Sequence, residues 1–167
     1  MAAVICVLGP WALVIPVSPV AISLGTLAIY FVISVLGMKL GTISVMIYIL
    51  LGLTGIPVFT NFTGGPGKLF GPSGGYIIGY IFLALIAGFF VDKYGAALPA
   101  CFTGMVLGTV VLYIFGTLWM GYQMEFTFTQ ALLAGVVPYI PGDIIKMIIA
   151  VAVGKQIRRR LTKAGLI

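Results

Sequence analysis

The sequence predicts an all-α integral membrane protein. It reads as one membrane domain over residues 1–167, with six transmembrane helices and a Gly/Pro-rich, re-entrant-type loop between helices 3 and 4. Three observations carry this. Of 167 residues, 62% are hydrophobic and only 7% charged, a balance outside that of soluble domains. The twelve charged residues, nine basic and three acidic, leave long uncharged stretches between them, and a spanning helix needs about 20 such residues. Finally, residues 54–75 hold seven glycines and three prolines, so one segment cannot be helix throughout.

Residues 1–9 are apolar but stop at Gly9-Pro10. The sequence is expected to begin inside its first helix, truncated, as if upstream residues had been lost. Pro10, Pro16 and Pro19 make 10–19 an ordered loop, because proline breaks a helix wherever it falls in the interior. Trp11 within it reads as an interface aromatic. The second helix covers 20–37; Lys39, between Gly37 and Gly41, marks a tight turn, and 42–53 forms the third. The Gly-rich loop 54–75 carries Asn61, Thr63, Lys68 and Ser73 beside apolar Val58, Phe59, Phe62, Leu69 and Phe70. Irregular backbone at membrane depth survives only when buried by protein or lining a water-filled cavity, which makes this a folded lid or cavity wall. Its Gly67-Lys68 fails the Walker pattern twice, with Phe62 at the first glycine position and Leu69 where Ser or Thr is needed. No nucleotide-hydrolysis motif is present.

The fourth helix covers 75–91, with Gly75, Gly79, Ala84 and Gly88 suited to close helix contact. Asp92-Lys93 closes the turn. The fifth covers 96–118, again with small residues at Ala100, Gly104 and Gly108, and Trp119, Tyr122 and Phe126 form an aromatic belt beyond it. In the loop 119–141, Thr127 or Thr129 can cap a short helix reaching Val137, which Pro138-Tyr139-Ile140-Pro141 breaks. The last helix covers 142–161 and ends in the basic run Lys155, Arg158, Arg159, Arg160 and Lys163.

That basic run places the C-terminus in the cytoplasm of a multi-pass plasma-membrane protein. Counting back, Lys39 and Asp92-Lys93 are also inside, while the loops 10–19, 54–75 and 119–141 lie together outside. The net charge of +6 thus belongs to inner loops and one tail rather than to a nucleic-acid surface. Cys6 and Cys101 fall in apolar runs and read as packing residues. With no histidine and three acids, no metal centre or cofactor is expected. Met1-Ala2-Ala3 lacks the positive region of a cleavable signal peptide.

Asp143 and Lys146 are the candidate functional residues. A charge in the hydrocarbon core costs roughly 2.5 kcal/mol or more, so intramembrane ionisable groups are functional hypotheses by default. A spacing of three puts both on one helix face, near the outer end of the last helix and beside all three irregular loops. A structural reading stands next to this: a carboxylate just after Pro-Gly complements a helix N-terminus, and Lys146 neutralises it.

Three blocks carry a resemblance. They are Gly52-Leu53-Thr54-Gly55-Ile56-Pro57-Val58-Phe59, Leu69-Phe70-Gly71-Pro72-Ser73-Gly74-Gly75-Tyr76, and Pro138-Tyr139-Ile140-Pro141-Gly142-Asp143-Ile144-Ile145-Lys146. Together and in this order they resemble BioY, the biotin-binding S component of energy-coupling-factor (ECF) vitamin transporters. The resemblance covers essentially the whole chain. It implies six helices, capture of biotin on the outer side, and assembly with a transmembrane coupling subunit and two cytoplasmic ATPase subunits. Two departures are visible. The family's first loop reads Pro-Val-Pro-Ile-Thr-Leu-Gln where this chain has Pro19-Val20-Ala21-Ile22-Ser23-Leu24-Gly25, so no role of that Gln passes to Gly25. The Ala-xxx-Ala docking face of the first helix becomes Ala2-Ala3-Val4-Ile5-Cys6.

Biotin presents two ureido N–H donors and a carbonyl, an apolar ring and chain, and a carboxylate. A fitting pocket needs acceptors, donors and aromatic walls. Asp143 is the expected acceptor and Lys146 a cationic donor; Asn61 and Ser73 offer neutral hydrogen bonds, and Tyr76 and Tyr139 offer rings with hydroxyls. Two alternatives remain: an S component for another vitamin, and a small membrane-bound transferase using Asp143 as general base.

Overall fold

A computed structural model describes residues 1–13, 22–94 and 97–165. In order these form α1 (Ala2–Leu8), the paired strands β1 (Ala12–Leu13) and β2 (Ile22–Ser23), α2 (Gly25–Leu53), α3 (Pro66–Leu69), α4 (Gly74–Lys93), α5 (Leu98–Met124), α6 (Phe128–Gly135) and α7 (Ile140–Lys163). By length and composition α2, α4 and α5 are each long and apolar enough to cross a membrane, although α2 is not one straight rod. The pair α6 and α7, bent by 47°, qualifies as a fourth, broken one. Helices α2, α4 and α5 are apolar on every side, so amphipathicity does not orient them. Gly25, Ser34, Gly41, Ser44 and Gly52 face inward on α2 beside larger Tyr30, Ile33 and Tyr48, while Met46, Ile47 and Leu50 face outward. Glycines and serines inside and large apolar residues outside suit a lipid surround, where close backbone approach rather than water exclusion holds helices together.

Helix α2 changes direction at Gly37, whose backbone (φ 77°, ψ −161°) is not helical and belongs to a region reserved for glycine. The chain folds back there, since a Cβ at Gly41 would sit only 3.4 Å from Ile33 Cα. The expected helices 20–37 and 42–53 are therefore two arms meeting at Gly37, without a loop at Lys39. The first arm begins at Gly25, and most of the expected loop 10–19, with residues 20 and 21, lies outside the described residues. Asp92 seals the turn: Oδ2 accepts the Met38 N–H at 2.9 Å, and Oδ1 pairs with Arg158 at 3.0 Å. Arg158 also reaches the Val35 carbonyl at 3.3 Å. The turn of α2 and the C-terminal parts of α4 and α7 are thereby tied in a single polar knot.

Helices α4 and α5 interlock through their glycines. A Cβ on Gly75 or Gly79 would strike Trp119 or Leu112, and one on Gly108 would strike Leu83. Two expected boundaries move. Residues 119–124, assigned to the outer loop, continue α5 to Glu125 (φ 54°). No proline interrupts them, and the Gly-rich loop fastens them: Trp119 Nε1 donates to the Gly71 carbonyl at 3.0 Å and Gln123 Nε2 to that of Phe70 at 2.8 Å. Helix α7 starts at Ile140 rather than 142, with Pro141 in its first turn, where the missing N–H has no partner to lose. The expected short helix is α6, and Thr127 caps it in a reciprocal box with Gln130.

The stretch between α2 and α4 is folded. Val58 and Phe59 are buried, Phe59 stands edge-on to Tyr48 at 5.5 Å, Phe59 and Thr63 exchange backbone hydrogen bonds, and Gly65 N–H reaches the Gly52 carbonyl at 2.7 Å. Asn61 and Phe62 at its tip both adopt positive φ, which is unusual for a bulky residue such as phenylalanine.

Candidate functional site

The first two turns of α7 carry Asp143 and Lys146 into the interior, where both are buried. Lys146 Nζ donates to Asp143 Oδ1 at 3.0 Å, to Thr26 Oγ1 at 2.9 Å and to the Ser23 carbonyl at 2.9 Å. An ammonium has three donors, and all three are in use. Asp143 Oδ2 accepts from the Tyr113 hydroxyl at 2.6 Å. Thr26 Oγ1 lies 3.2 Å from the Ser23 carbonyl and 3.4 Å from Asp143 Oδ1, and its single proton serves one of them. The pair is thus neutral overall and hydrogen-bonded from α2, α5 and α7, the condition under which a buried ion pair is tolerated. The carboxylate is turned away from the helix N-terminus; the capping position is Tyr139, which makes no side-chain cap bond.

Each supporting residue is placed by local structure. Ser23 ends β2, where its hydroxyl donates to the Gly9 carbonyl at 2.9 Å and accepts Gly25 N–H at 2.8 Å. That fixes the entry to α2 and points the Ser23 carbonyl at Lys146. Tyr76, in the first turn of α4, donates to the Gly135 carbonyl at 3.0 Å, holding the end of α6 over the site. Tyr30 and Thr109 share a 2.7 Å hydrogen bond between α2 and α5.

Around the pair lies a cavity of about 40 Å³, lined by Ser23, Thr26, Tyr76, Tyr80, Tyr113, Tyr139, Asp143 and Lys146 among others. The structure brings four of the expected residues together here: Asp143, Lys146, Tyr76 and Tyr139. Asn61 and Ser73 stand apart. Asn61 is exposed, its backbone N–H bonded to the Pro10 carbonyl at 2.9 Å, and Ser73 caps α4 without lining the cavity. Four lining residues with polar side chains were missed: Ser23, Thr26, Tyr80 and Tyr113. Tyr80 had a signal, lying one turn beyond Tyr76 on the same face. Tyr113 sits mid-helix in an apolar run and Thr26 at the very start of α2, and only the packing of three helices aims them at Asp143.

The family model described as BioY family matches residues 1–163. A Lactococcus lactis subsp. cremoris protein named biotin transporter BioY2 is 32% identical over 161 residues, covering 96% of this chain and 87% of that relative. The Thermotoga maritima biotin transporter BioY is 33% identical over 153 residues, covering 92% and 89%. A crystal structure of the S-component for biotin from an ECF-type ABC transporter superposes with a TM-score of 0.87 at 32% identity, covering 95% of this chain and 86% of that one. Matched along nearly its whole length in sequence and in fold, the chain belongs to the BioY family.

Proposed function

We propose that this chain is the substrate-binding S component of a biotin transporter. It captures biotin at the outer side of the plasma membrane and hands it to an ECF module of one transmembrane coupling subunit and two cytoplasmic ATPases. The observation that carries this reading is the buried, tyrosine-walled carboxylate of Asp143. Its Oδ2 accepts one short hydrogen bond from Tyr113 and retains a lone pair for a ligand N–H. In our reading the ureido group meets Asp143, with Tyr76 and Tyr139 as walls. Lys146 holds the carboxylate in place and grips the ligand directly only by releasing the Ser23 carbonyl. The related proteins are named transporters, which sets aside the transferase reading of Asp143.

A cavity of about 40 Å³ is far smaller than the roughly 300 Å³ or more of ligand pockets. We therefore read this conformation as one with a contracted pocket, which widens on binding while the loop over residues 54–73 closes over the ligand. Asn61 and Ser73 join the site when the loop over residues 54–73 shifts inward. The positive φ at Asn61 and Phe62 supports a two-state loop, since such strain gathers at switch segments. In this reading the two arms of α2, α4, α5 and α7 cross the membrane, and α1, at seven residues, is too short to do so alone. Helix α6, at eight residues, lies over the outer end, and the basic end of α7 is cytoplasmic.

Equilibrium titration of the purified chain with biotin, in parallel with riboflavin and thiamine, tests this. Saturable binding of biotin, recovered unaltered, is expected. Preference for another vitamin moves the chain to that substrate, and binding of none overturns the proposal.

A further inference from the structure

Helix α5 packs extensively on α4 but touches α7 only sparsely, and between α5 and the α6–α7 pair a cavity of about 500 Å³ opens sideways. Its α5 wall is a stripe, Phe102, Val106, Val110 and Ile114, at four-residue spacing, and Ile144 and Met147 face it from α7. From Phe102 to Tyr113 the α5 wall rises about 16 Å at 1.5 Å per residue, close to the depth of one leaflet of a roughly 30 Å hydrocarbon core, and it runs on past Tyr113 to Leu118. At Tyr113 it meets Asp143, on the far side of the polar cavity. A slot that is apolar, at membrane depth and open to the side suits an acyl chain and not water.

The second observation is charge at one end of the slot. On α7 Lys155 lies two turns beyond Met147, past the last residue that lines the cavity, and both Lys155 and Arg158 act electrostatically on Cys101, beside Phe102. Arg158 is committed to Asp92 and the Val35 carbonyl. Lys155 is half-buried and makes no ion pair among the described residues, and Arg159 and Arg160 stand exposed beyond it.

We propose that this groove is a binding site for an anionic phospholipid, one acyl chain lying along the α5 stripe and the phosphate meeting Lys155 at the Phe102 end. The chain length matches the slot and the headgroup charge matches its mouth.

The test uses the full chain purified in detergent, titrated with phosphatidylglycerol or with phosphatidylcholine of the same acyl chains, and read as lipid adducts by native mass spectrometry. Val110→Trp fills the groove, Lys155→Glu reverses its charge, and Leu50→Trp adds the same bulk to an exposed face of α2. All are first checked for unchanged melting, and Val106→Trp, one turn away, replaces Val110→Trp if that variant does not fold. Phosphatidylglycerol is expected to bind the wild type about fivefold tighter than phosphatidylcholine, the effect of one cation beside a lipid phosphate. Lys155→Glu should abolish that preference, the groove-filling variant should lose both lipids, and Leu50→Trp should behave as wild type. Equal binding of the two lipids by the wild type overturns the proposal. So does undiminished phosphatidylglycerol binding in the groove and charge variants, or its displacement by glycerol 3-phosphate alone, which marks a soluble-anion site.

Discussion

Asp143 sits where two readings of one carboxylate diverge, and its hydrogen bonds separate them. A cap would turn back to the first N–H groups of α7; instead the side chain crosses to Tyr113 on α5 and Lys146. Asp143→Asn keeps the shape but replaces one acceptor oxygen with a donor. Losing a charged hydrogen bond in a dry site costs roughly 1.5–3 kcal/mol, so biotin affinity is expected to fall about ten- to a hundredfold. Titration of the well-folded variant checks this, and unchanged affinity would leave Asp143 a purely structural residue. Lys146→Met is expected to act on the fold itself. It strands a buried carboxylate, at about 3–5 kcal/mol, and heat-unfolding in detergent should show a loss larger than that of Asp143→Asn. The pair was legible in the sequence because charges are so rare in this chain. The donors around it were not, since a tyrosine or threonine in an apolar helix points nowhere until its neighbours are placed.

At the scale of elements, the turn at Gly37 decides how α2 is used. Its φ of 77° suits glycine alone, and the space a Cβ would fill is taken by the Asp92 carboxylate. Gly37→Ala is expected to lose stability by about 1–3 kcal/mol from backbone strain, and further by dislodging Asp92 from Met38 and Arg158. Gly142 is the contrasting case. It lies in the first turn of α7 with nothing within 4 Å of an added Cβ, so Gly142→Ala should stabilise by roughly 0.5–1 kcal/mol. Melting midpoints of the two variants should move in opposite directions; a shift of the same sign in both would refute the account of the turn. The sequence marks both glycines alike, and only the fold assigns one to a hairpin and the other to a helix.

For the whole molecule, the charge asymmetry and the folded outer loop make two further predictions. A cysteine at Gly67, where an added side chain meets nothing within 4 Å, should label from outside in a Cys6→Ala background, and a reporter at the C-terminus is expected to read as cytoplasmic. Labelling from the inner side alone would invert the topology and the site with it. Hydrogen exchange over residues 60–70 is expected to slow when biotin binds, as a ligand that favours a closed loop must make it. Equal exchange with and without biotin would leave the loop a static wall.

By itself the sequence determined the all-α membrane class and the presence of several apolar, membrane-capable helices. These follow from composition and from breakers, which act within a few residues along the chain. It also determined the family, through three spaced blocks, and the charged pair. Tertiary structure alone decided that α2 doubles back, that α5 runs past Leu118 because the Gly-rich loop holds its end, and that Tyr113, Thr26 and Ser23 complete the shell of Asp143 and Lys146. It likewise set Asn61 and Ser73 outside that shell. The reason is the same in each case: a hydrogen bond from Lys146 to Ser23, 123 residues away, has no local signature, because its energy depends on where helices pack and not on the residues beside it.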